Sequence, residues 1–478
     1  MKSSTPCLLQ PIKFGTDGWR AITADQFTFQ NLERVTQAYC DHLHKVRKTD
    51  AALSVCVGFD NRFLADRFAM HAAKVLAGNG IKVELYDKPV HTPLVSFAVI
   101  KEKHCGGLML TASHNPAEYS GFKIKEDWGG SAFEETTRSV EGLLDAKPVK
   151  LSEEAIASTG LQQLEKAYRQ HIAALIDLER IKSASFDITI DSMYGTGSTL
   201  IQSFIEGKRT IARTIRAERD CLFGNIAPEP IDKNLQALKT EVQKRNSTIG
   251  LATDGDGDRL GAVNELGESM TMHEVGPLLL LHLARGRKQT GTVVSTVTQS
   301  VLMRRIAEAS GLKYTETPVG FKYIAREMLS DDVLIGAEES GGIGIKGHIP
   351  ERDGVFNGLL LLEALAFNKT SPTQYVQELH REFGTFYYDR QDLKVPSATG
   401  TQFLTALQTR PPTQLADTKV VELVTTDGVK IVLEDDSWLM FRQSGTEPVL
   451  RVYAEATSKQ KTADLLKHAH ELLAMTNH

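Results

Sequence analysis

Cysteine is scarce in this chain and long apolar runs are missing, and both facts exclude classes of protein. The 478-residue sequence has five cysteines, at positions 7, 40, 56, 105 and 221. They lie far apart without Cys-x-x-Cys spacing, so they predict neither a disulfide framework nor a zinc site and fit a reducing cytoplasm. The longest apolar runs, residues 276–281 and 358–362, are far too short to span a membrane and are typical of buried helices.

The chain also lacks a large excess of positive or negative charge. The 55 lysines and arginines are spread along the chain against 60 aspartates and glutamates, which gives a formal net charge of −5 and argues against a general nucleic-acid surface. The first residues lack the apolar stretch of a targeting segment, and no low-complexity segment interrupts the chain. We therefore expect a cytoplasmic monomer or homodimer without nucleic-acid or membrane partners.

The most informative motif is the run Thr-Ala-Ser-His-Asn-Pro at residues 111–116, which follows the apolar segment 107–110. Because the residue before a proline is pushed out of helical geometry, the chain must bend just after Ser113. A strand that enters such a turn is expected to leave the Ser113 hydroxyl exposed at a sheet edge, where a nucleophile belongs. Taken alone, the motif fits an ordinary polar loop better, and only the further motifs below favour the nucleophile.

The second motif, residues 254–259, places aspartates at every second position between glycines. Glycine lets the backbone curl until Asp254, Asp256 and Asp258 converge, and converging carboxylates need a hard cation such as Mg²⁺ or Ca²⁺. An EF-hand also begins with this pattern, but Arg259 stands at the sixth position, where that loop needs glycine. The lead-in, residues 247–253, reads as a strand rather than a helix. We therefore predict a metal loop of another kind, with positions left open for a phosphate oxygen.

The third motif is Arg442-Gln-Ser-Gly-Thr-Glu-Pro448, between two segments that read as strands. A Ser-Gly-Thr turn offers consecutive backbone amides and two hydroxyls, and Arg442 can bind an oxyanion with two parallel hydrogen bonds. A plain hairpin connection would not need arginines at both ends, Arg442 and Arg451. The segment therefore predicts a phosphate-binding loop.

Together these motifs resemble those of the α-D-phosphohexomutase superfamily, which includes the phosphoglucomutase/phosphomannomutase family. Further segments have counterparts there, in the family's order: residues 14–20, 58–62, 191–197, 317–322 and 338–342. The resemblance runs from about residue 12 to about residue 455. Segment 338–342, Glu-Glu-Ser-Gly-Gly, is similar to the family's sugar-binding loop, usually written Gly-Glu-x-Ser-Gly-His.

The resemblance also predicts the architecture. Strand and helix patterns alternate three times along the chain, which indicates three α/β units, and the last hundred residues have a strand-rich pattern closed by a helix. We expect three similar α/β domains with mixed sheets and a C-terminal α+β domain around a central cleft. Boundaries are expected near residues 150, 260 and 375, giving segments 1–150, 151–260, 261–375 and 376–478. Residues 150–180 are predicted to form one long helix.

The resemblance implies a role for each matching residue. Ser113 would carry a phosphoryl group, and Mg²⁺ would bind the Ser113 phosphate together with Asp254, Asp256 and Asp258. Lys123, with a lowered pKa, would act as the base; Arg20 would lie in the catalytic cleft, and His114 would either assist catalysis or hydrogen-bond the turn. The residues expected to bind substrate are Arg259, Lys322, Glu338, Ser340, Arg442, Ser444, Gly445, Thr446 and Arg451.

The sequence departs from the family pattern at two positions. Gly342 stands where many relatives have a histidine, and His348 is a candidate to replace it by proximity alone. Ser120 replaces the common asparagine before the Gly-Phe-Lys segment that ends at Lys123. Neither departure removes the nucleophile, the metal ligands or the phosphate loop, but both leave the sugar undefined.

The function implied by the resemblance is a Mg²⁺-dependent mutase that interconverts hexose 1-phosphate and hexose 6-phosphate through a 1,6-bisphosphate. Glucose and mannose phosphates are the expected substrates, and the amino-sugar branches fit less well. An alternative is a glucose-1,6-bisphosphate synthase that takes its phosphoryl group from another bisphosphate. A third possibility, a sugar-phosphate-binding protein without catalysis, conflicts with the intact Ser113, Lys123 and aspartates.

Overall fold

The computed structural model describes residues 12–15, 17–47, 52–444 and 448–476. Four β-sheets follow one another along the chain, and we call each sheet with its helices a domain, numbered 1 to 4. The first three sheets mix parallel and antiparallel strands and the fourth is antiparallel, which confirms the predicted fold class. In the described part of the chain no helix is both long and apolar enough to cross a membrane.

Domain 1 carries the Ser113 loop. Its elements in chain order are β1 (Trp19–Ile22), α1 (Phe29–Val46), β2 (Ser54–Phe59), α2 (Ala65–Gly78), β3 (Lys82–Tyr86), α3 (Thr92–Lys101), β4 (Gly106–Leu110), β5 (Tyr119–Glu126), α4 (Glu134–Gly142) and β6 (Ser158–Thr159). Strands β2 and β4 are almost wholly buried, as their apolar runs predict. Because β6 pairs with β3, sheet 1 extends to residue 159.

Domain 2 carries the aspartate loop. Its elements are α5 (Gln162–Leu175), α6 (Leu178–Ser183), β7 (Asp187–Asp191), α7 (Leu200–Ile205), β8 (Ile211–Ile215), α8 (Gln236–Arg245), β9 (Ile249–Thr253), β10 (Leu260–Val263) and β11 (Ser269–Met270), with short 3-10 turns at Phe223–Asn225 and Asp232–Asn234. The strand predicted before the aspartates is confirmed as β9, which excludes the helix that an EF-hand would need there.

Domain 3 carries the glutamate loop. Its elements are α9 (Met272–Leu281), a π turn at His282–Gly286, β12 (Thr292–Thr296), α10 (Val301–Ala309), β13 (Tyr314–Thr317), α11 (Phe321–Ser330), β14 (Val333–Ala337), β15 (Ile343–Ile345), α12 (Gly354–Asn368) and α13 (Pro372–Phe383). The two apolar runs predicted as buried helix lie in α9 and α12. The side chain of Asp353 caps α12 by accepting from the N–H of Phe356 at 2.9 Å.

Domain 4 carries the predicted phosphate loop. Its elements are β16 (Tyr387–Lys394), α14 (Ser397–Thr409), β17 (Gln414–Leu415), β18 (Thr418–Val424), β19 (Val429–Leu433), β20 (Trp438–Gln443), β21 (Val449–Ala456) and α15 (Lys459–Thr476). Strands β20 and β21, which flank the loop, are those that the sequence predicts, and α15 is the predicted closing helix. The sheets use residues 19–159, 187–270, 292–345 and 387–456. The exact domain limits stay a prediction.

Domains 1 to 3 repeat one strand arrangement. The orders are β5-β4-β2-β3, β10-β9-β7-β8 and β15-β14-β12-β13, with three neighbouring parallel strands and then an antiparallel one in each sheet. In each domain the predicted functional loop follows the third parallel strand, β4, β9 or β14. The three loops are thus equivalent in topology, although no repeat is visible in the sequence. A buried strand needs apolar residues but not the same ones.

One hydrophobic cluster spans domains 1 to 3, and domains 1 and 4 each have a further large cluster of their own. Val95 of domain 1, Ile190 of domain 2 and Leu361 of domain 3 belong to a single buried cluster. In domain 4 a separate cluster includes Phe403 and Phe441. A small patch joins domain 4 to domain 3, where Val297 packs against Trp438, Met440 and Tyr453. Polar contacts around this patch also join the two domains, including those of Arg304 with Asp436 at 2.6 Å and of His273 with Glu455 at 2.8 Å.

The prediction of one long helix over residues 150–180 is wrong. Helix α5 begins only at Gln162, and Ile176 adopts an extended conformation (φ −119°, ψ 132°) that ends it. Asp177 then starts α6 by accepting a hydrogen bond from the N–H of Arg180 at 3.0 Å. An aspartate that offers its side chain to the backbone favours a new helix start over continuation.

A buried carboxylate in domain 3 gives a prediction for acid stability. Glu363 accepts from the N–H of Asp177 at 2.8 Å and from Nε of Arg287 at 2.8 Å, and lies 3.0 Å from Nε2 of His282. Burial raises its pKa, but the His282 and Arg287 contacts outweigh burial and hold the pKa at about 2. We expect Glu363→Gln to lower the free energy of unfolding by about 1.5–3 kcal/mol at pH 7.

The direction of the Glu363 pKa shift determines how the stability of the fold depends on pH. Because folding lowers the pKa of Glu363, its carboxylate stabilises the folded state at pH values above its pKa in the unfolded chain. That stabilisation is lost as the pH falls from about 4.5 towards 2. Thermal unfolding of wild type and variant should therefore differ at pH 7 and converge in strong acid. The exposed Glu102→Gln variant is the control. A difference that stays constant down to pH 2 would contradict the assignment.

Candidate active site

Ser113 stands at the end of β4 in a conformation that few side chains adopt. Its φ is 52°, in the left-handed region that costs a non-glycine residue energy and is concentrated at functional sites. The residue is only 1% exposed, so the expectation of an exposed hydroxyl is wrong. The hydroxyl instead donates to Oδ2 of Asp254 at 3.0 Å and lies 3.3 Å from Nδ1 of His114. Domain 2 covers the serine in this state.

One arginine holds the Ser113 loop in shape. The buried Arg62 pairs with Asp60 at 3.1 Å. Its guanidinium also donates to four backbone carbonyls at 2.6–2.9 Å, those of Ser113, Asn115, Pro116 and Tyr119. From β1, Arg20 adds a hydrogen bond to Oδ1 of Asn115 at 2.8 Å. From the sequence, segment 58–62 was identified only as the counterpart of a family motif. In the structure, the arginine of this segment, Arg62, stabilises the strained turn.

The three aspartates converge as predicted. One carboxylate oxygen from each of Asp254, Asp256 and Asp258 lies within 4.8 Å of the others, and all three residues are fully buried. Among the described residues, Oδ1 of Asp256 and Oδ1 of Asp258 have no hydrogen-bond partner. Burial and the other two carboxylates raise the pKa of Asp254. Buried carboxylates with unpaired oxygens fit a hard divalent cation such as Mg²⁺.

Lys123 lies among the same carboxylates. Lys123 belongs to β5. Its ammonium group lies 2.8 Å from Oδ2 of Asp256, 3.3 Å from Oδ2 of Asp258 and 2.9 Å from Oδ2 of Asp17. Burial lowers its pKa, but Asp17, Asp256 and Asp258 outweigh burial and raise it. The expectation of a lowered pKa is therefore wrong for this state, because the sequence did not show that carboxylates surround the lysine.

His114 and Arg259 line the cleft beside the serine. Nε2 of His114 and Nη1 of Arg259 each lie 3.9 Å from Oε1 of Glu229. Burial, with the nearby charges of Arg259 and Arg20, holds the pKa of His114 well below its usual value, so the imidazole is neutral at pH 7. Because the Ser113 hydroxyl donates to Asp254, Nδ1 of the neutral imidazole can donate to Oγ of Ser113 in the tautomer that carries its hydrogen there. The backbone N–H of Arg259 donates to Oδ1 of Asp254 at 3.1 Å.

Arg352, which the sequence analysis missed, packs against Gly342, the position at which the sequence departs from the family pattern. A Cβ at Gly342 would lie 2.4 Å from Cδ of Arg352 and 2.6 Å from Oε2 of Glu338, so a side chain there would require Arg352 and Glu338 to move. The buried guanidinium lies 2.9 Å from both Asp17 and Asp258. The available clue was a run of three charged residues, 351–353, directly before the apolar helix α12.

His348 is not the replacement for the missing histidine. Its Nε2 lies 2.9 Å from Oδ2 of Asp353 and its Nδ1 lies 3.0 Å from Nε2 of His171. Its ring stacks on Phe356 with centroids 4.4 Å apart. Both nitrogens are thus used in contacts behind the cleft, and the candidate based on proximity is wrong.

The glutamate loop presents one buried and one exposed residue. Burial raises the pKa of Glu338 to about 7, although the charges of Arg352 and Arg259 lower it. Its Oε2 has no hydrogen-bond partner among the described residues, although Nη1 of Arg352 lies 3.8 Å away. Ser340 is exposed in the same turn. The buried oxygen and the exposed hydroxyl are available to hydroxyl groups of a ligand.

The predicted phosphate loop lies between two directly paired arginines. Arg442 of β20 and Arg451 of β21 are opposite each other across the sheet. Nε of Arg442 donates to Oδ2 of Asp427 at 2.7 Å, and the same oxygen accepts from the N–H of Val319 in domain 3 at 3.0 Å. Ser444 is buried at the start of the loop. Gly445 and Thr446 lie outside the described residues.

Lys322 and Ser120, which the sequence analysis singled out, contact side chains outside the serine and aspartate loops. The ammonium group of Lys322, in the first turn of α11, lies 5.2 Å from the ring centre of Tyr323. In the described part of the chain it makes no hydrogen bond to the serine or aspartate loops. The hydroxyl of Ser120 lies 2.8 Å from that of Thr23, on the face of β5 opposite Lys123, so this departure leaves the cleft unchanged.

Comparisons with known proteins agree with this arrangement. Models described as phosphoglucomutase/phosphomannomutase match the chain in four segments: α/β/α domain I at residues 11–149, domain II at 166–267, domain III at 272–383 and the C-terminal domain at 402–471. A phosphoglucomutase/phosphomannomutase from Thermococcus kodakarensis is 28% identical over 466 residues, which cover 96% of this chain and 98% of the relative.

Other relatives carry different sugar names. A phosphoglucosamine/phosphogalactosamine mutase from Sulfurisphaera tokodaii is 27% identical, with 96% of this chain and 98% of the relative covered. A crystal structure of a candidate phosphomannomutase from Thermus thermophilus is 37% identical with a TM-score of 0.85, and covers 98% of this chain and 100% of that one. The chain therefore belongs to the phosphoglucomutase/phosphomannomutase family of the α-D-phosphohexomutase superfamily and is a phosphomutase, an intramolecular phosphotransferase.

Proposed function

We propose that this protein is a Mg²⁺-dependent phosphohexomutase that interconverts the 1-phosphate and 6-phosphate of glucose or mannose in the cytoplasm. The observation that carries the proposal is the Ser113 hydroxyl, 3.0 Å from Asp254 in a group of three buried carboxylates. A nucleophile beside a cation site is what phosphoryl transfer requires, since the reaction depends on positioning and on neutralising charge.

The proposed reaction uses a phosphorylated Ser113. A sugar monophosphate binds with its phosphate on the loop that begins at Arg442, and its free hydroxyl faces the phosphoserine. The bond between phosphorus and Oγ of Ser113 breaks as the sugar oxygen bonds to phosphorus, and the hydroxyl proton leaves to a base. The resulting 1,6-bisphosphate turns over in the cleft and returns its other phosphoryl group to Ser113.

Six further residues have roles in this proposal. Asp254, Asp256 and Asp258, with an oxygen of the Ser113 phosphate, would hold Mg²⁺, which supplies positive charge to the transferring group. Lys123 is an ammonium ion in this arrangement and would donate a hydrogen bond to the phosphoryl oxygens. It could act as a base only after it has given up a proton. Glu338 would accept hydrogen bonds from sugar hydroxyls, and Ser340 would donate hydrogen bonds to them, in both orientations of the intermediate.

The test is a coupled assay of glucose 1-phosphate conversion to glucose 6-phosphate with Mg²⁺. It is run with and without glucose 1,6-bisphosphate, and with mannose 1-phosphate in parallel. Rapid conversion stimulated by the bisphosphate supports the mutase, and the ratio of the two sugars identifies the substrate. Accumulation of glucose 1,6-bisphosphate from a second bisphosphate donor, with little conversion, would replace the proposal by a synthase. Inactivity on both sugars would direct the assay to glucosamine 1-phosphate.

The phosphate loop gives a second test. Arg442→Lys keeps the charge but loses the planar guanidinium that can bind two phosphate oxygens at once. We expect KM for the sugar phosphate to rise about 10-fold or more while Mg²⁺ dependence stays unchanged, because the lost contact is one that orients the substrate. The exposed Arg410→Lys in the same domain is the control. Unaltered kinetics of Arg442→Lys would mean that this loop does not bind phosphate.

A further inference from the structure

The first residue of α3 joins domain 1 to the aspartate loop of domain 2. The hydroxyl of Thr92 donates to Oδ2 of Asp256 at 2.6 Å, and the N–H of Thr92 donates to the backbone carbonyl of Asp256 at 2.8 Å. Both residues are 0% exposed. The sequence analysis assigned no role to Thr92.

The position of the helix explains why this pair of hydrogen bonds forms. The N–H groups in the first turn of a helix have no partner within the helix, so that of Thr92 is available to another segment. Gly257 adopts a φ of +74°, and a Cβ there would lie 3.0 Å from Cβ of His91. The helix end therefore packs directly on the aspartate loop. The partial positive charge of a helix N-terminus also favours nearby carboxylates.

The two oxygens of the Asp256 carboxylate differ in their contacts. Oδ2 accepts from the hydroxyl of Thr92 at 2.6 Å and from Nζ of Lys123 at 2.8 Å. Oδ1 has no hydrogen-bond partner among the described residues. A carboxylate with one oxygen held by donors cannot rotate freely, so its other oxygen keeps one direction. Such outer hydrogen bonds orient metal ligands and tune their affinity.

We propose that Thr92 is a positioning residue of the metal site: its hydroxyl fixes the carboxylate of Asp256 so that Oδ1 is presented to the cation. This inference rests on the proposed function, since it takes the aspartates to be metal ligands. Lys123 holds the same oxygen, but its removal would also change the charge of the site. The Thr92 hydroxyl is neutral, so its loss changes orientation and leaves the charge unchanged.

The experiment measures metal binding directly. Mg²⁺ affinity is determined by calorimetry, and Mn²⁺ affinity by electron paramagnetic resonance, on the full chain without substrate. The variants are Thr92→Val, which keeps the shape and removes the hydroxyl, and Thr92→Ser, which keeps the hydroxyl. We expect Thr92→Val to weaken both affinities by about 10-fold or more, and Thr92→Ser to stay within about 3-fold of wild type.

Two further variants keep the outcomes distinct. Asp256→Asn removes a proposed ligand, and Thr92→Ala replaces Thr92→Val if the valine variant does not fold. Weaker binding in Asp256→Asn together with wild-type binding in the hydroxyl-free Thr92 variant overturns the role of Thr92 alone. Unchanged binding in Asp256→Asn overturns the metal site and with it the proposed function. Equal weakening by Thr92→Ser and Thr92→Val would overturn the role of the hydroxyl and assign the effect to packing.

Discussion

Replacement of Ser113 by alanine should lower kcat by at least about 10⁴-fold and leave sugar-phosphate binding nearly unchanged. The hydroxyl is the proposed carrier of the phosphoryl group, and alanine has no atom that can bond to phosphorus in its place. The backbone at residue 113 is held by Arg62, which donates to the Ser113 carbonyl at 2.8 Å, so the loop should keep its shape without the side chain. Activity is measured with the coupled assay and binding by calorimetry.

The same variant also tests the covalent intermediate. Wild-type protein incubated with glucose 1,6-bisphosphate should gain one phosphoryl group by intact mass, and the alanine variant should gain none. Ser96→Ala is the matched control, because Ser96 is a buried serine of the same domain whose hydroxyl has no hydrogen-bond partner among the described residues. Turnover that survives in Ser113→Ala would remove the nucleophile from the proposal.

Loss of the Arg352 guanidinium is expected to have the second large effect. Arg352 lies 2.9 Å from Asp17 and from Asp258, 3.2 Å from Glu351 and 3.8 Å from Glu338, all buried or nearly buried carboxylates. Arg352→Met keeps the approximate volume but leaves these charges without a shared partner. Breaking buried ion pairs in this way costs about 3–5 kcal/mol. We expect kcat/KM to fall by about 10³-fold, because the carboxylates of the site would rearrange.

The pH dependence gives a more specific expectation for this variant. Burial raises the pKa of Glu338 to about 7, and the charge of Arg352 opposes that rise. Without Arg352 the pKa moves further up, so more Glu338 is protonated at pH 7. In the proposed function, ionised Glu338 accepts hydrogen bonds from the sugar, so we expect the rising limb of kcat/KM against pH to move to higher pH in Arg352→Met.

Two comparisons complete this test. Arg352→Lys keeps the charge without the planar fork, so its pH limb should stay near that of wild type while its rate falls. Arg326→Met removes an arginine of the same domain from an exposed pair with Glu135 and should change neither quantity. A pH limb in Arg352→Met that coincides with wild type would show that Arg352 does not act on Glu338.

The sequence alone predicted the elements whose chemistry is local. Strands β4 and β9 were predictable because each is an apolar run of strand length that leads directly into a turn. The convergence of Asp254, Asp256 and Asp258 was predictable as well, because alternating glycines permit the tight curl that brings the three carboxylates together. The helix break at Ile176 and Asp177 was missed, since a single capping aspartate within a helical pattern is a weak indication beside the pattern itself.

Contacts between segments far apart in the chain were decided by the tertiary structure. Lys123 was expected to have a lowered pKa, and it lies instead among carboxylates from residues 17, 256 and 258, which raise it. Arg352 fills the space beside Gly342, and Thr92 holds Asp256 across a domain boundary. The sequence by itself predicted the proposed nucleophile, the aspartate loop and the strands, because each of these depends on residues adjacent in the chain. Only the fold decided the charge state and orientation of these groups, because pKa values and hydrogen bonds depend on which distant side chains are buried together.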